Sequence, residues 1–260
     1  MKYSHSYLLK IQFLGFRFSG WQKQTNAKTI HDIVDKSLSF VLVQEEYKTI
    51  GMSRTDAKVS ANTYYVQLFV LKELNEHEFI ALLNKNFPQD FRVNLITHVP
   101  TSYNIINASK TKEYHYYFSF GEKAHPFTAP LLTAISDNLD IELMKRGAVL
   151  FEGTHYFHKY CTKPSKHTIL KRTIDCCEIL ENTYLTASFF PKHSFVLRVC
   201  GKGFLRYQIR LIMATLFELG KNNIDLSYIK ASLLENNDRK PLKTIASASG
   251  LQLYEVELTI

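Results

Sequence analysis

The order of secondary-structure elements that this sequence predicts is the feature that most limits its fold. In the first part of the chain, runs rich in β-branched and aromatic residues alternate with stretches whose apolar residues have helical spacing. Strands are predicted at 7–14, 47–52, 63–71 and 91–98, and helices at 29–42 and 75–86. This β-α-β-β-α-β order is typical of the ferredoxin-like unit.

The second half of the chain shows a similar order. Strands are predicted at 113–120, 169–180, 194–200 and 251–258, helices at about 140–151, 203–219 and 227–235, and the pattern allows a short extra strand around 184–190. The repeat predicts an α+β fold of two ferredoxin-like halves. We expect them to divide near Pro100 to Asn107, with domains at 1–103 and 104–260.

The charge of the chain indicates what kind of partner it binds. The 260 residues carry a formal net charge of +8, and the pI is about 9.1. Each Lys or Arg that neutralises a phosphate releases counterions, so this surplus fits a polyanionic partner, although many basic proteins bind no nucleic acid. Hydrophobic residues make up 45% of the chain, which is ordinary for a globular protein with a substantial core.

The four cysteines favour a reducing, cytoplasmic location. They contain no C-x-x-C pair, and adjacent Cys176 and Cys177 lie in a predicted strand, where their side chains would point to opposite faces. Small buried thiols are therefore expected rather than disulfides or zinc ligands. The chain opens directly into a strand-like run without the shape of a signal peptide, and no apolar stretch approaches the ~20 residues of a membrane helix.

A polar pentad, Ser53-Arg54-Thr55-Asp56-Ala57, lies between two predicted strands. It presents a cation, a hydroxyl and a carboxylate at the end of a sheet, where catalytic groups are often held by a rigid scaffold. The alternative is an ordinary turn in which Asp56 accepts backbone N–H bonds and Arg54 is solvated. The spacing by itself leaves both interpretations open.

Six segments of the chain match, in type and in order, the motifs of one known family. Residues 53–61, S-R-T-D-A-K-V-S-A, correspond to its G-R-T-D-x-G-V-H-A. The other matches are Y-x-G-T-x-F-x-G-W-Q-x-Q at 14–24, K-x-Y-x-Y at 112–116, L-x-G-T-H-D-F at 151–157, G-F-L-x-x-M-V-R at 203–210 and G-L-x-L at 250–253. Across nearly its whole length, the chain resembles the tRNA pseudouridine synthase A (TruA) family.

The resemblance implies a fold and a reaction. The fold would be two α/β halves with joined antiparallel sheets and a cleft between them. The reaction would convert uridine to pseudouridine in the anticodon arm of tRNA, at positions 38, 39 and 40, without a cofactor or metal. A homodimer with tRNA lying across both subunits is implied as well. The alternative is a tandem ferredoxin-like RNA-binding protein that has lost catalysis.

The resemblance also assigns roles to four residues. Asp56 is the essential carboxylate, and Arg210 matches the residue that pairs with it and opposes its protonation. Arg54 matches the arginine that fills the space left by the flipped nucleotide, and Tyr114 matches the tyrosine that stacks on the uracil. Without the resemblance, Tyr114 would be a core or sheet-face residue, and Arg210 a solvated or snorkelling one.

Two segments are candidates for binding RNA. After the first strand, Arg17, Trp21, Gln22 and Lys23 form a basic and aromatic loop, although Trp21 could simply be a core residue. The stretch 155–172 holds eight His, Lys and Arg residues, including Lys163 and Lys166. His155 and His158 have the spacing of a metal-binding pair, but no third ligand is evident, so a metal site is not expected. The stretch is expected to be either a loop that binds phosphates or a solvated loop.

Three residues depart from the family pattern near Asp56. Ser53 and Lys58 stand where glycine is usual, and Ser60 stands in place of histidine. Glycine at such a position often serves a positive φ or a close backbone approach. Lys58 therefore implies either a changed loop conformation or an extra cation near the bound RNA.

Overall fold

The computed structural model describes residues 2–43, 45–108, 110–235 and 242–259. The protein has an α+β fold that divides into two compact units. Unit 1 comprises residues 1–110 with 253–260, and unit 2 comprises residues 111–252. Within the described ranges, no helix is long and apolar enough to cross a membrane.

Unit 1 has the element order predicted from the sequence. Its elements are β1 (His5–Phe13), α1 (Ile30–Val41), β2 (Tyr47–Gly51), β3 (Ser60–Val70), α2 (Glu76–Asn86) and β4 (Phe91–Val99). The strands pair antiparallel in the order β4-β1-β3, and β2 pairs with β3. Thr29 is the N-cap of α1, because its side chain accepts a hydrogen bond from the Asp32 backbone N–H.

Unit 2 contains more elements than the sequence predicts. They are β5 (Lys110–Phe120), β6 (Thr133–Ile135), α3 (Ile141–Val149), β7 (Gly153–Tyr156), β8 (Lys171–Ile174), β9 (Cys176–Glu181), β10 (Phe195–Gly201), α4 (Gln208–Gly220) and α5 (Leu226–Ser232). The final strand, β11 (Leu251–Leu258), lies mostly in unit 1, beside β3. There the Asn62 side chain donates to the Tyr254 carbonyl at 3.1 Å.

The strands of unit 2 form a mixed sheet and a separate hairpin. The order β5-β10-β9 is antiparallel, β6 adds to β5 in parallel, and β7 pairs with β8 alone. The strand predicted at 169–180 is thus two strands, separated at Asp175, whose N–H donates to the Cys200 carbonyl at 2.8 Å. β8 pairs with β7 and not with a strand of the main sheet, and the pattern of apolar residues gives no sign of this pairing.

Two other predictions for unit 2 are wrong. Residues 184–190 form no strand, because the Asn182 side-chain oxygen accepts the N–H groups of Tyr184 and Leu185 and holds the chain in a turn. Helix α4 begins at Gln208 rather than at 203, because Tyr207 has the left-handed backbone conformation with φ of 63°. The predicted opposite faces of Cys176 and Cys177 are confirmed, since Cys177 is buried and Cys176 is half-buried.

Candidate active site

The loop between β2 and β3 carries Asp56 and is held along its length by hydrogen bonds. Tyr64 of β3 donates its hydroxyl hydrogen to the Ser53 carbonyl at the start of the loop. The backbone N–H of Trp21 donates to the Thr55 carbonyl at 3.2 Å, and the backbone N–H of Lys58 donates to the Phe18 carbonyl at 2.9 Å. These bonds fix the backbone on both sides of Asp56, whose side chain is half-buried.

Two glycines of the loop that follows β1 allow this close backbone contact. Gly20 has φ of 85°, and a Cβ built there would lie 2.5 Å from the Thr55 carbonyl oxygen. A Cβ on Gly15 would lie 1.9 Å from Val59 O. Only glycine fits at either position. Sequence reasoning did not assign these glycines or Tyr64 a role at the site, although the G-x-x-x-x-G spacing at 15–20 was the available signal.

The backbone contact at Gly20 predicts a measurable defect. We expect Gly20→Ala to lower the free energy of unfolding by at least about 1–2 kcal/mol, because alanine is strained at this φ and its methyl group meets the Asp56 loop. Gly203→Ala is the matched control, since a Cβ there meets nothing within 4 Å. Chemical denaturation of both variants checks the prediction. Equal stability of the two variants would mean that the two loops move apart easily.

The Trp21 side chain packs against Tyr64, which holds the start of the same loop. Trp21 is 4% exposed, and its ring stacks on His31 with ring centres 4.8 Å apart and packs at a tilt of 30° against Tyr64 with ring centres 4.6 Å apart. A Cβ at Gly51 would lie 2.4 Å from the indole ring. Of the two roles that the sequence leaves open, the structure therefore favours the core role, because the residue is buried among these side chains.

His31 is held beside Trp21 as a largely buried ring. Its Nε2 lies 2.8 Å from Thr49 Oγ1, and burial lowers its pKa below the ordinary value. A histidine with a lowered pKa is neutral at pH 7 and packs against Trp21 as an uncharged ring. The Asp35 carboxylate also lies near it, with Oδ2 at 3.6 Å from Nε2.

The other candidates in the first loop are surface residues with partners. Arg17 forms a bidentate ion pair with Asp90, and the Lys23 ammonium lies 2.5 Å from Asp35 Oδ2. Hydrogen bonds to these carboxylates raise the pKa values of Arg17 and Lys23. Gln22 is exposed. Both cations are exposed and can contact a phosphate of bound RNA, but a carboxylate already neutralises the charge of each.

Lys58 has the backbone conformation that the family's glycine suggests. Its φ is 67°, in the left-handed region, and its side chain is exposed with the ammonium 5.7 Å from the centre of the Phe16 ring. The loop has thus kept a glycine-type conformation despite the substitution. Ser60 uses its hydroxyl differently from a histidine, since its Oγ accepts the Gly15 N–H at 2.9 Å inside the protein.

In unit 2, Tyr114 lies on β5 and Arg210 on α4. Tyr114 is 9% exposed and contacts Phe204 edge-to-face, with ring centres 5.3 Å apart. Arg210 is half-buried, donates Nε–H to the Ala246 carbonyl at 2.7 Å and lies over the Tyr207 ring at 4.9 Å. Arg210 is therefore held in place rather than solvated. Arg54, in unit 1, is exposed.

The basic stretch 155–172 is partly ordered by the β7–β8 hairpin. Its two candidate lysines, Lys163 and Lys166, are exposed, and Lys163 has φ of 47°. His158 is buried, and the His155 ring nitrogen lies 2.7 Å from the Glu152 carbonyl oxygen. In the described part of the chain, no group of three or more His, Cys, Asp or Glu residues is placed to hold a metal ion.

Comparison with known proteins identifies the family. Residues 148–258 match the family model described as tRNA pseudouridine synthase. The chain is 32% identical over 254 residues to tRNA pseudouridine synthase A 2 of Bacillus cereus (strain ATCC 10987 / NRS 248), which covers 97% of this chain and 99% of that protein. It is 27% identical to tRNA pseudouridine synthase A 1 of Protochlamydia amoebophila, over 97% of this chain and 96% of the relative. With its six motifs in the same order, the chain belongs to the tRNA pseudouridine synthase A family.

Proposed function

We infer that this protein isomerises uridine to pseudouridine in the anticodon arm of tRNA, at positions 38, 39 and 40, with Asp56 as the essential carboxylate. The isomerase class and the tRNA substrate follow from membership of the family. The observation that carries the proposal is the Asp56 loop itself. It retains the family's R-T-D core on a backbone that is hydrogen-bonded on both sides of the carboxylate.

The chemistry explains why such a loop suits the reaction. The enzyme must detach uracil from its ribose, rotate it and rejoin it through carbon, and no electrons or groups are exchanged with a second reactant. This requires an ionised carboxylate that attacks or deprotonates the sugar, held at a defined position where water is scarce. The nucleotide must also leave its stack, because the glycosidic bond is otherwise inaccessible.

Three further residues belong to the proposal. The exposed Arg54 would occupy the space that the flipped nucleotide vacates, and Tyr114 would stack on the uracil with its hydroxyl near the reaction. Arg210 would act as the cation that favours the ionised form of the catalytic carboxylate. What supports these roles is the family resemblance, together with the exposure of Arg54 and the fixed positions of the other two side chains.

The proposed architecture has two ferredoxin-like domains. Residues 1–103 would carry the Asp56 loop, and residues 104–260 would carry the Tyr114 strand, the basic loop and the Arg210 helix. The β4-β1-β3-β2 order of unit 1 supports the first of these assignments. We further propose a cytoplasmic homodimer. The four free cysteines suit a reducing compartment, and light scattering of the purified protein tests the dimer.

A pseudouridine map of cellular tRNA, with and without the protein, tests the function. We expect loss of pseudouridine at positions 38, 39 and 40 only in the strain that lacks it. An RNA-binding protein that has lost catalysis would leave the map unchanged while still binding the anticodon arm. Purified enzyme acting on tRNA transcripts with one candidate uridine each then shows which of the three positions is used.

Lys58 gives a prediction at the position where this chain departs from its family. We expect Lys58→Ala to weaken tRNA binding for all sequences and to lower the salt slope of log Kd by about one unit, because a phosphate contact is lost. Lys58→Gly should lose the same contact but relieve the left-handed backbone, which raises the free energy of unfolding by up to about 1 kcal/mol. Binding titrations at several salt concentrations and denaturation curves separate the two effects. An unchanged salt slope in Lys58→Ala would show that Lys58 does not contact a phosphate.

A further inference from the structure

An open cleft lies in unit 2, where β5 ends and β10 begins. These strands are antiparallel and Phe118 pairs with Phe195, so the segments 119–125 and 189–193 leave the sheet at the same end. Together they line a cleft of about 670 Å³. None of the residues with a proposed catalytic or RNA-binding role lines it.

Basic side chains outnumber acidic ones in the lining of the cleft. It contains Lys123, Lys192, His125 and His193 against a single carboxylate, Glu122, and all five side chains are exposed. Among the residues that the structure describes, neither lysine forms an ion pair. The two ammonium groups therefore lack the carboxylate neighbours that Arg17 and Lys23 have in unit 1. Such a lining is complementary to a polyanion.

An aromatic cluster borders the same cleft. Phe127 is 69% exposed, and its ring lies 4.9 Å from the His125 ring and 5.9 Å from the Phe189 ring, both of which belong to the lining. The contacts are edge-to-face, at interplanar angles of 70° and 87°. An edge-to-face cluster leaves a ring face open, and an open phenyl face beside free ammonium groups suits a base and its phosphates.

We propose that this cleft binds an unpaired nucleotide of the substrate tRNA, outside the site of isomerisation. The base stacks on the Phe127–Phe189 cluster, and the flanking phosphates lie at Lys123 and Lys192. The nucleotide is unpaired because bases within an RNA helix are stacked on each other and cannot reach an aromatic side chain. The proposal rests on the proposed function, since it takes tRNA as the ligand. A protein partner would cover the rings but would need its own acidic groups to neutralise the lysines.

The first test removes the charges. We expect the double variant Lys123→Ala/Lys192→Ala to bind full-length tRNA about tenfold more weakly and to lower the salt slope of log Kd by one to two units, since single-stranded phosphates contribute about 0.7 unit each. The value of kcat at saturating tRNA should be unchanged, so that only KM rises. The matched control is Lys230→Ala, an exposed lysine of α5 in the same unit.

The second test removes the ring. Because Phe127 is mostly exposed, Phe127→Ser should fold normally, and we expect it to weaken tRNA binding by about fivefold or more, the lower end of a lost base–aromatic stack. Phe127→Trp should restore binding, since a larger ring face stacks equally well. Leu234→Ser, a change at another exposed apolar residue of unit 2, controls for general loss of apolar surface.

The outcomes separate this proposal from the proposed function. If both variants bind tRNA like the wild type with the same salt slope, the cleft is not a tRNA site, whatever else occupies it. If kcat falls while KM is unchanged, the cleft acts on catalysis rather than on binding, and the proposal is overturned. Failure of the proposed function would instead appear as wild-type protein that binds tRNA but makes no pseudouridine in it.

Discussion

We expect pseudouridine formation to fall by about a thousandfold or more when Asp56 is replaced by asparagine, the range expected on removal of a reacting side chain. Asparagine has nearly the same shape, so the loop between Ser53 and Lys58 keeps its backbone hydrogen bonds to the first loop and to Tyr64. The amide cannot attack or deprotonate the ribose. Binding of tRNA should stay within about threefold of the wild type, because the role proposed for the carboxylate is chemical and not one of docking. Tritium release from labelled uridine, or chromatographic separation of the nucleosides of a digested tRNA transcript, measures the first quantity, and filter binding measures the second.

A control variant separates the loss of chemistry from the loss of a charge. Asp137→Asn removes a carboxylate that is paired with Lys221 on the surface of unit 2, and it should leave both turnover and binding unchanged. Thermal denaturation should give the same Tm for Asp56→Asn and wild type within a few degrees. Appreciable turnover by Asp56→Asn would exclude Asp56 as the essential group. The alternative interpretation of the loop, an ordinary turn, would then be the correct one.

Changes at Tyr114 should separate rate from affinity. Tyr114→Phe keeps the ring and its edge-to-face contact with Phe204, so we expect tRNA binding to change by less than about threefold. The rate should fall by about a hundredfold, the loss expected if the hydroxyl near the reaction assists a proton transfer. Tyr114→Ala should lose both, with lost stacking contributing about 1–3 kcal/mol to the weaker binding. Single-turnover assays with saturating enzyme measure the rate free of the binding defect.

The burial of Tyr114 makes a stability control necessary. At 9% exposure, Tyr114→Ala also removes core packing, so its denaturation midpoint must be measured beside its activity. Tyr228→Phe, at a half-exposed tyrosine of α5, shows what loss of a surface hydroxyl does by itself. Wild-type rate and affinity in Tyr114→Phe, with only a stability loss in Tyr114→Ala, would identify Tyr114 as a packing residue.

Local sequence patterns predicted most elements of the fold. Strands and helices of unit 1 appear in the predicted order because each is encoded by its own periodicity and caps, such as Thr29 before α1 and Asn75 before α2. Unit 2 was predicted less well where elements depend on distant partners. β7 and β8 form a hairpin of their own, and Tyr207 adopts a left-handed conformation that delays the start of α4. Neither event has a local signal in an apolar pattern.

The candidate site shows the same division. By its order of motifs, the sequence alone determined the family, the R-T-D loop, and the departures at Lys58 and Ser60, because these depend on residue type and spacing. Only the tertiary structure decided how the Asp56 loop is held, since the bonds from Trp21 and Tyr64 join residues distant in sequence. Burial likewise favoured the core role of Trp21, because exposure depends on what packs around a ring rather than on its neighbours along the chain.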